Sequence, residues 1–215
     1  QILVESTRHA WAMMCANWFG WPSRQLHLLG ITGTNGKTSV TYMLKSVLES
    51  CGYKVGLVGT IQNMIGERVL PSGHTTPDPY DLQSMFSLMV AEGCQYAVME
   101  VSSHALDQGR VDGCHFDAAV FTNLTQDHLD YHGTMENYLA AKKKLFTMCD
   151  RGVVNWDDPA SARIREGIDC PFVTFSATQD AADYTARNIH KRPDGVDFEL
   201  VGTGDIDRVR LPIPG

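Results

Sequence analysis

Short apolar runs alternate with amphipathic stretches along the first 150 residues of the chain. Four of the runs are typical of buried strands: 26–32, 54–60, 96–101 and 118–124. Between them, apolar residues recur every three or four positions, as they do on one face of a helix. In residues 37–50 this stripe comprises Val40, Met43, Leu44, Val47 and Leu48. Strands that alternate with helices predict an α/β fold, a mostly parallel sheet flanked by helices.

Local signals place the ends of the predicted helices. Gly52 ends the helix that starts at Lys37, because glycine adopts the left-handed backbone that closes many helices. Asp78 is expected to cap a helix with Pro79 at its first position. A Trp-Pro-Ser sequence at 21–23 breaks the chain after a first helix. This first helix is predicted at 10–19, and a further helix is predicted at 134–148.

The pattern changes after Asp150. Short β-like runs at 172–175, 196–201 and 209–211 are separated by turn signals such as Pro-Asp-Gly at 193–195. They predict a smaller, more antiparallel, β-rich attachment after about residue 150.

The chain is expected to divide at about residue 24. Residues 1–24 are interpreted as the end of a preceding domain or a linker helix, and 25–215 as the main domain, incomplete at its C-terminal end. The chain starts at Gln1 without a methionine and stops just after a strand-like run. Both ends therefore suggest a segment of a larger protein.

Composition narrows the classes of function. The 215 residues are 43% hydrophobic and carry a net charge of −7 without a basic block, so a nucleic-acid surface is not indicated. No apolar run approaches the ~18 residues that span a bilayer, and we find no secretion signal. None of the six cysteines forms a C-x-x-C pair. Reduced, mostly buried thiols in a cytoplasmic protein are expected.

A glycine-rich loop between the first predicted strand and its helix carries the clearest chemistry. The loop consists of Gly33, Thr34, Asn35, Gly36, Lys37, Thr38 and Ser39. Backbone N–H groups of such a loop cradle phosphate oxygens, with Lys37 on the β/γ-phosphates and Thr38 on Mg²⁺. The usual pattern, G-x-x-x-x-G-K-[ST], requires a glycine where this chain has Ile31. The atypical spacing argues against a generic GTPase or kinase.

Two more candidates follow the ends of neighbouring predicted strands. Glu100 ends one strand, and His128 follows the end of the next. Ligands of open α/β sheets gather beyond the carboxyl ends of the strands, so both side chains are expected near the phosphate loop. We predict that Glu100 and His128 bind a divalent ion beside a triphosphate.

Lys142 lies on the apolar side of its predicted helix. At about 100° per residue, it falls near the middle of the face formed by Met135, Tyr138, Leu139, Leu145 and Phe146. A long lysine can extend its amine out of such a stripe to solvent. Alternatively, the amine lies in a dry pocket near the nucleotide, where it loses its proton easily and can react with CO₂ to form a carbamate.

Several of these motifs resemble the central domain of the Mur ligases. The segments are GITGTNGKTS, HTTPDP, MEVSSHALDQGRV and FTNLTQDHLDYHGTMENYLAAKKKLF, within about residues 28–146. Within the family, they most resemble the UDP-N-acetylmuramoyl-tripeptide synthetases. The atypical phosphate loop is also similar to that of this family.

The resemblance implies roles for individual residues. Residues 33–39 would bind ATP, Glu100 and His128 would help to hold Mg²⁺, and Lys142 matches the carbamylated lysine, a further metal ligand. Five positions match residues that hold UDP-N-acetylmuramoyl-dipeptide: Thr75, Thr76, Ser102, Gln108 and Arg110. Arg110 is suited to an anionic group.

The implied reaction is the ATP-dependent addition of an amino acid to UDP-N-acetylmuramoyl-L-alanyl-D-glutamate through an acyl phosphate, in cell-wall synthesis. The added amino acid would be meso-diaminopimelate or L-lysine. The protein would be bacterial, cytoplasmic and monomeric, without membrane insertion. Two alternatives remain: a ligase like folylpolyglutamate synthase, and a non-catalytic nucleotide-binding subunit. The family's uridine-binding and C-terminal domains are not recognised in this sequence, so the segment alone is not expected to complete ligation.

Overall fold

A computed structural model describes residues 3–213. Its helices are α1 Thr7–Trp18, α2 Lys37–Ser50, α3 Pro79–Ala91, α4 Ser103–Asp107, α5 Leu129–His132, α6 Met135–Lys143 and α7 Ala160–Arg165. Its strands are β1 His27–Thr32, β2 Val55–Val58, β3 Asn63–Ile65, β4 Arg68–Leu70, β5 Tyr96–Glu100, β6 Phe116–Phe121, β7 Cys149–Asn155, β8 Phe172–Ser176, β9 Tyr184–Arg192, β10 Gly195–Val201 and β11 Ile206–Leu211. The chain ends, Gln1 and 214–215, on which the expectation of a longer protein partly rested, lie outside the described residues.

All these strands form one sheet, in the order β11-β10-β9-β8-β7-β6-β1-β5-β2-β3-β4. Every neighbouring pair from β2 to β9 is parallel. The antiparallel pairs lie at the two edges, where β3 pairs with β2 and β4 with β3, and where β10 and β11 follow β9. The prediction of a mostly parallel α/β sheet is confirmed.

The part of the chain that the structure describes has no clearly separate β-rich attachment after about residue 150, since β7 to β11 all belong to the one sheet. Strands β7 and β8 are parallel to β6 and extend the main sheet. Only β9, β10 and β11 form an antiparallel meander, which hydrogen-bonds to the edge of that sheet. The first half of β7 is mostly exposed and polar, so the hydrophobic pattern gave little sign of a strand there.

Two helices differ from their predicted bounds. The first begins at Thr7 rather than residue 10, because the Ser6 hydroxyl accepts a hydrogen bond from the backbone N–H of His9 at 3.2 Å. Helix α6 ends at Lys143, and a 3₁₀ turn, Lys144–Thr147, continues it. The β3–β4 hairpin was not predicted, since each strand has only three residues.

Helices cover both faces of the sheet. On one face, Leu82, Phe86 and Met89 of α3 lie in the larger buried cluster. On the other face, Val40 and Leu44 of α2 pack against a smaller cluster that contains Ile31 and Val98. Burial of apolar side chains on both faces stabilises the parallel part of the sheet. The carboxyl ends of its strands lie together along one side of the sheet, where ligands of such folds bind. Within residues 3–213, no helix is long and apolar enough to cross a membrane.

Candidate functional site

The glycine-rich loop connects the end of β1 to the start of α2. Gly33 and Gly36 have φ angles of 149° and 85°, in the region that favours glycine. A Cβ on Gly33 would lie 1.9 Å from the Thr122 hydroxyl oxygen, so the loop backbone can approach the end of β6 only with glycine here. Gly36 precedes the first residue of α2 and has no side chain to cap it, which leaves the helix N-terminus open to an anion.

The residues after β6 hold the loop in place. The N–H of Thr34 donates to the Asn123 carbonyl at 2.9 Å, and the N–H of Asn35 donates to the Asn123 side-chain oxygen at 3.0 Å. The Thr122 hydroxyl donates to the Asn35 carbonyl at 2.6 Å. Thr122 and Asn123 therefore support the loop, a role that was not predicted for either residue.

Lys37 is folded back onto its own loop. Its Nζ donates to the carbonyl of Gly33 at 2.9 Å and to that of Thr34 at 2.8 Å. Burial lowers the pKa of the Lys37 amine, although the negative charges of Glu100 and Asp127 partly oppose the shift. The amine is thus already within the loop where a phosphate would lie.

Glu100 lies at the end of β5 and is 1% exposed. Its Oε2 accepts a hydrogen bond from the Thr38 hydroxyl at 2.8 Å. Thr60, for which no role was predicted, donates its N–H to Oε1 at 2.8 Å and its hydroxyl to Oε2 at 3.1 Å. The two predicted oxygen ligands, Thr38 and Glu100, are therefore in direct contact.

This set of oxygen atoms fits a hard cation such as Mg²⁺, which prefers carboxylate and hydroxyl oxygens. Within residues 3–213, no three His, Cys, Asp or Glu side chains are grouped so that they could hold a metal ion. A cation at Thr38 and Glu100 would therefore need further ligands from phosphate oxygens and water, as is usual for Mg²⁺.

His128 lies farther out, at the start of α5. Its backbone is left-handed, with φ of 52°, and its side chain is 46% exposed. The ring lies 4.9 Å from the His104 ring and 6.0 Å from the Tyr138 ring, measured between centroids. Among the described residues, no hydrogen bond joins His128 to Glu100 or Thr38. The ring distances instead place His128 next to His104 and Tyr138.

Lys142 is 1% exposed, so the structure contradicts the alternative in which its amine extends to solvent. The Nζ donates to the Gly33 carbonyl at 2.8 Å, on the same oxygen that accepts from Lys37. Burial, and then repulsion by Lys37, lowers the pKa of Lys142 to about 7, with a small opposing effect of Asp127. The Lys142 amine is therefore buried beside the phosphate loop.

Tyr138 belongs to the site, although its place in an apolar stripe predicted only a core position. The Lys142 Nζ lies 4.4 Å from the centroid of its buried ring, a cation–π distance. The Tyr138 hydroxyl is 3.2 Å from the hydroxyl oxygen of Thr34 in the phosphate loop. One side chain therefore contacts both the buried amine and the loop.

The five predicted substrate-binding residues form a network next to Glu100. The buried Thr76 hydroxyl donates to the Glu100 carbonyl at 2.9 Å and accepts from the Ser102 N–H at 3.0 Å. The Thr75 and Thr60 hydroxyl oxygens are 3.0 Å apart. Thr76 is 1% exposed, so its hydroxyl holds the end of β5 and the residue Ser102 after it rather than facing a ligand.

Arg110 completes this network. It donates to the Gln108 side-chain oxygen at 2.7 and 2.9 Å and to the Thr76 carbonyl at 3.0 Å. Its Nε lies 3.2 Å from a carboxylate oxygen of Asp78. The predicted start of α3 after Asp78 is confirmed, but the Asp78 side chain pairs with Arg110 and makes no capping hydrogen bond.

Two substitutions separate the contributions of the Tyr138 hydroxyl and ring. Tyr138→Phe removes one hydrogen bond and is expected to cost about 1 kcal/mol of unfolding free energy. Tyr138→Leu also removes the aromatic face under Lys142 and leaves a cavity, so a cost of about 3 kcal/mol is expected. Urea unfolding measures both. Equal losses for the two variants would contradict a role for the ring.

The lowered pKa of Lys142 predicts a pH dependence of stability. The unfolded amine keeps its proton up to ~pH 10, whereas the folded amine releases it near pH 7. The cost of burying the charged amine is therefore complete below pH 7 and declines as pH rises, by at most ~1.4 kcal/mol per pH unit. Any stability advantage of Lys142→Met over the parent is expected to shrink from pH 7 to 9 in CO₂-free urea titrations. Parallel curves for the two proteins would contradict the shift.

Comparisons with known proteins agree with this architecture. The sequence profile of the Mur ligase middle domain matches residues 31–215. The UDP-N-acetylmuramoyl-L-alanyl-D-glutamate--2,6-diaminopimelate ligase of Caldanaerobacter subterraneus subsp. tengcongensis is 52% identical over 215 residues, covering 100% of this chain and 44% of the relative. A solved structure of a protein with the same enzyme name has a TM-score of 0.83 at 32% identity, over 93% of this chain and 44% of that one.

A more distant structure, a mutant of L. casei FPGS, has a TM-score of 0.76 at 18% identity and covers 99% of this chain and 60% of that one. At this identity, the likeness shows the fold alone. The chain spans less than half the length of the curated relative that it matches. The extent of the profile match and the 52% identity show that the chain belongs to the Mur ligase family, in the part that forms the middle domain.

Proposed function

We propose that this chain is the ATP-binding part of a longer ligase that adds diaminopimelate to UDP-N-acetylmuramoyl-L-alanyl-D-glutamate. The observation that carries the proposal is the convergence of two lysines on one loop carbonyl. Lys37 and Lys142 both donate to the Gly33 oxygen. Burying a second amine next to a phosphate loop lowers the stability of the fold. A subunit that only binds nucleotide would not need this amine.

The identity of the added amino acid rests on the relatives. The C. subterraneus relative and one from Clostridium acetobutylicum, 48% identical, are both named for 2,6-diaminopimelate. Diaminopimelate is therefore proposed over L-lysine. The likeness to FPGS supports only the fold and does not favour a folate substrate.

The phosphate loop is proposed to hold the triphosphate of ATP. The open N-terminus of α2 and the backbone of residues 33–39 supply N–H donors to phosphate oxygens. Lys37 would exchange its two carbonyl acceptors in the loop for phosphate oxygens. The phosphate oxygens are charged, so the hydrogen bonds that Lys37 gains are stronger than the bonds to the carbonyl oxygens that it gives up.

Thr38 and Glu100 are proposed to bind Mg²⁺ directly. His128 is proposed either to bind the ion from the exposed side of the site or to form a hydrogen bond with a water molecule bound to the ion. The ion would supply Lewis-acid stabilisation of charge on the transferred phosphoryl group. Thr60 keeps the Glu100 carboxylate oriented through both of its hydrogen bonds.

In the proposed reaction, a carboxylate oxygen of the acceptor attacks the γ-phosphorus, and the bond to the bridging oxygen breaks to release ADP. The amine then attacks the acyl carbon, loses a proton, and phosphate leaves with the former carboxylate oxygen. Lys37 would neutralise charge while two anions approach each other. Arg110, released from Asp78, would orient an anionic group of the acceptor.

Lys142 is proposed to react as its neutral amine with CO₂, forming an N–C bond and releasing one proton. The carbamate would add an anionic oxygen ligand for the cation. Support comes from the burial of the amine and from its lowered pKa, because only the unprotonated amine is nucleophilic.

Thr75, Ser102 and Gln108 are proposed to contact the UDP-sugar peptide, with Thr76 supporting them. A monomeric, cytoplasmic, bacterial protein remains part of the proposal.

The test is product formation by the longer protein that contains this chain. With ATP, Mg²⁺ and UDP-N-acetylmuramoyl-L-alanyl-D-glutamate, ADP release and a tripeptide product are expected with diaminopimelate and not with lysine. Turnover with lysine alone would refute the choice of amino acid. Absence of turnover with either amine, in a protein that still binds ATP, would refute the ligase proposal.

A further inference from the structure

Two cysteines that are distant in sequence meet at the edge of the sheet opposite the phosphate loop. Cys149 is the first residue of β7, and Cys170 lies in the loop before β8. Their sulfur atoms are 3.8 Å apart, a hydrogen-bonding contact between two free thiols. A disulfide bond is about 2.05 Å long, so the sulfurs need to approach by about 1.8 Å from positions already in contact.

Reagents can reach this pair. Both cysteines are partly exposed, unlike the buried Cys15, Cys94 and Cys114. They line a cavity of about 400 Å³ together with Gly167, Asp150 and Asp169, and the Asp150 carboxylate also lies 3.0 Å from a ring nitrogen of His115. The carboxylates favour a cationic reagent over an anionic one in this cavity.

The local chemistry favours oxidation over metal binding. Soft metals bind thiolates in sets of three or four, whereas within residues 3–213 no such group of His, Cys, Asp and Glu is present. We therefore propose that Cys149 and Cys170 form an oxidisable dithiol site, which a cationic low-molecular-weight disulfide converts into an intramolecular disulfide. This inference is independent of the proposed ligase activity.

The exchange takes place in two balanced steps. The Cys170 thiolate attacks the reagent disulfide, forming a mixed disulfide and releasing one reagent thiolate. Cys149 then attacks the Cys170 sulfur, the second reagent thiol leaves, and the Cys149 proton passes to it. The protein loses two hydrogens, and the reagent disulfide is reduced to two thiols. Cys170 is assigned the first attack because it lies in a loop, whereas Cys149 lies in β7 and burial raises the pKa of its thiol.

The disulfide would join residues that are 21 positions apart and close a loop that contains α7. Closing such a loop restricts the unfolded chain, and a rise in Tm of about 5–10 °C is expected. The phosphate loop follows the carboxyl end of β1, whereas the two cysteines lie at the amino ends of β7 and β8, so nucleotide binding is expected to stay unchanged.

Treatment of the protein with cystamine, followed by intact-mass and peptide analysis, tests the site. The parent and the control Cys51→Ser are both expected to lose two hydrogens at this pair and to give a linked Cys149–Cys170 peptide. The parent is also expected to carry a mixed disulfide on the exposed Cys51, which the control lacks. Cys149→Ser is expected to stop at the mixed disulfide on Cys170. A parent protein that gives only mixed disulfides, or links another pair, would overturn the proposal. The peptide map of the parent decides this even if Cys149→Ser does not fold.

Discussion

Replacing Lys37 with methionine is expected to weaken binding of Mg²⁺-ATP to the chain by about 100-fold, since charged hydrogen bonds to phosphate contribute ~1.5–3 kcal/mol. Methionine keeps most of the aliphatic length and removes the ammonium group that lies in the loop at Gly33 and Thr34. Isothermal titration calorimetry with a non-hydrolysable ATP analogue and Mg²⁺ measures the loss.

The matched control for this variant is Lys144→Met. Lys144 is an exposed lysine, 3.1 Å from Asp107 and outside the phosphate loop. The ATP affinity of Lys144→Met is expected to stay within about twofold of the parent value, because surface ion pairs contribute little. If Lys37→Met bound ATP as tightly as Lys144→Met, the loop would not be the triphosphate site.

Substitution of Lys142 is expected to have its largest effect on ligation rather than on nucleotide binding. In the longer protein, Lys142→Met is expected to lower kcat by about 1000-fold, as does the loss of one preorganised electrostatic group in other enzymes. Its ATP affinity is expected to fall by less than tenfold, because Lys37 and the helix N-terminus remain. Steady-state kinetics and calorimetry on the same preparations separate the two effects.

Lys142→Arg distinguishes a carbamate from a cation at this position. Arginine keeps a positive charge but stays protonated and forms no carbamate. We expect it to be as inactive as Lys142→Met. Activity of the arginine variant near that of the parent would show that the site needs the positive charge of residue 142, and would exclude the carbamate role.

The sequence predicted the phosphate loop, whereas for Lys142 it left open whether the amine is buried or extends to solvent. The loop follows from a glycine-lysine-threonine pattern between a strand and a helix, which is a local signal. The position of Lys142 follows from helical periodicity, which places the residue on a face but not next to a particular atom. That its amine shares the Gly33 carbonyl with Lys37 depends on packing between segments 109 residues apart.

Other features could not be predicted because their signals are weak or not local. Tyr138 lies in an apolar stripe, where an aromatic residue is typical of a core. Thr122 and Asn123 acquire a role only when β6 lies beside β1. Strand β7 has few apolar residues in its first half, so its place in the sheet depends on pairing with β6 and β8.

The most direct test of the proposed chemistry follows the oxygen atoms of the acceptor carboxylate. The longer protein is incubated with ATP, Mg²⁺, diaminopimelate and UDP-N-acetylmuramoyl-L-alanyl-D-glutamate labelled with ¹⁸O in its carboxylates, and the released phosphate is analysed by mass spectrometry. Attack of the carboxylate on the γ-phosphorus predicts one ¹⁸O atom in each phosphate. Unlabelled phosphate would show that water, not the carboxylate, takes the phosphoryl group, and would contradict the acyl-phosphate mechanism.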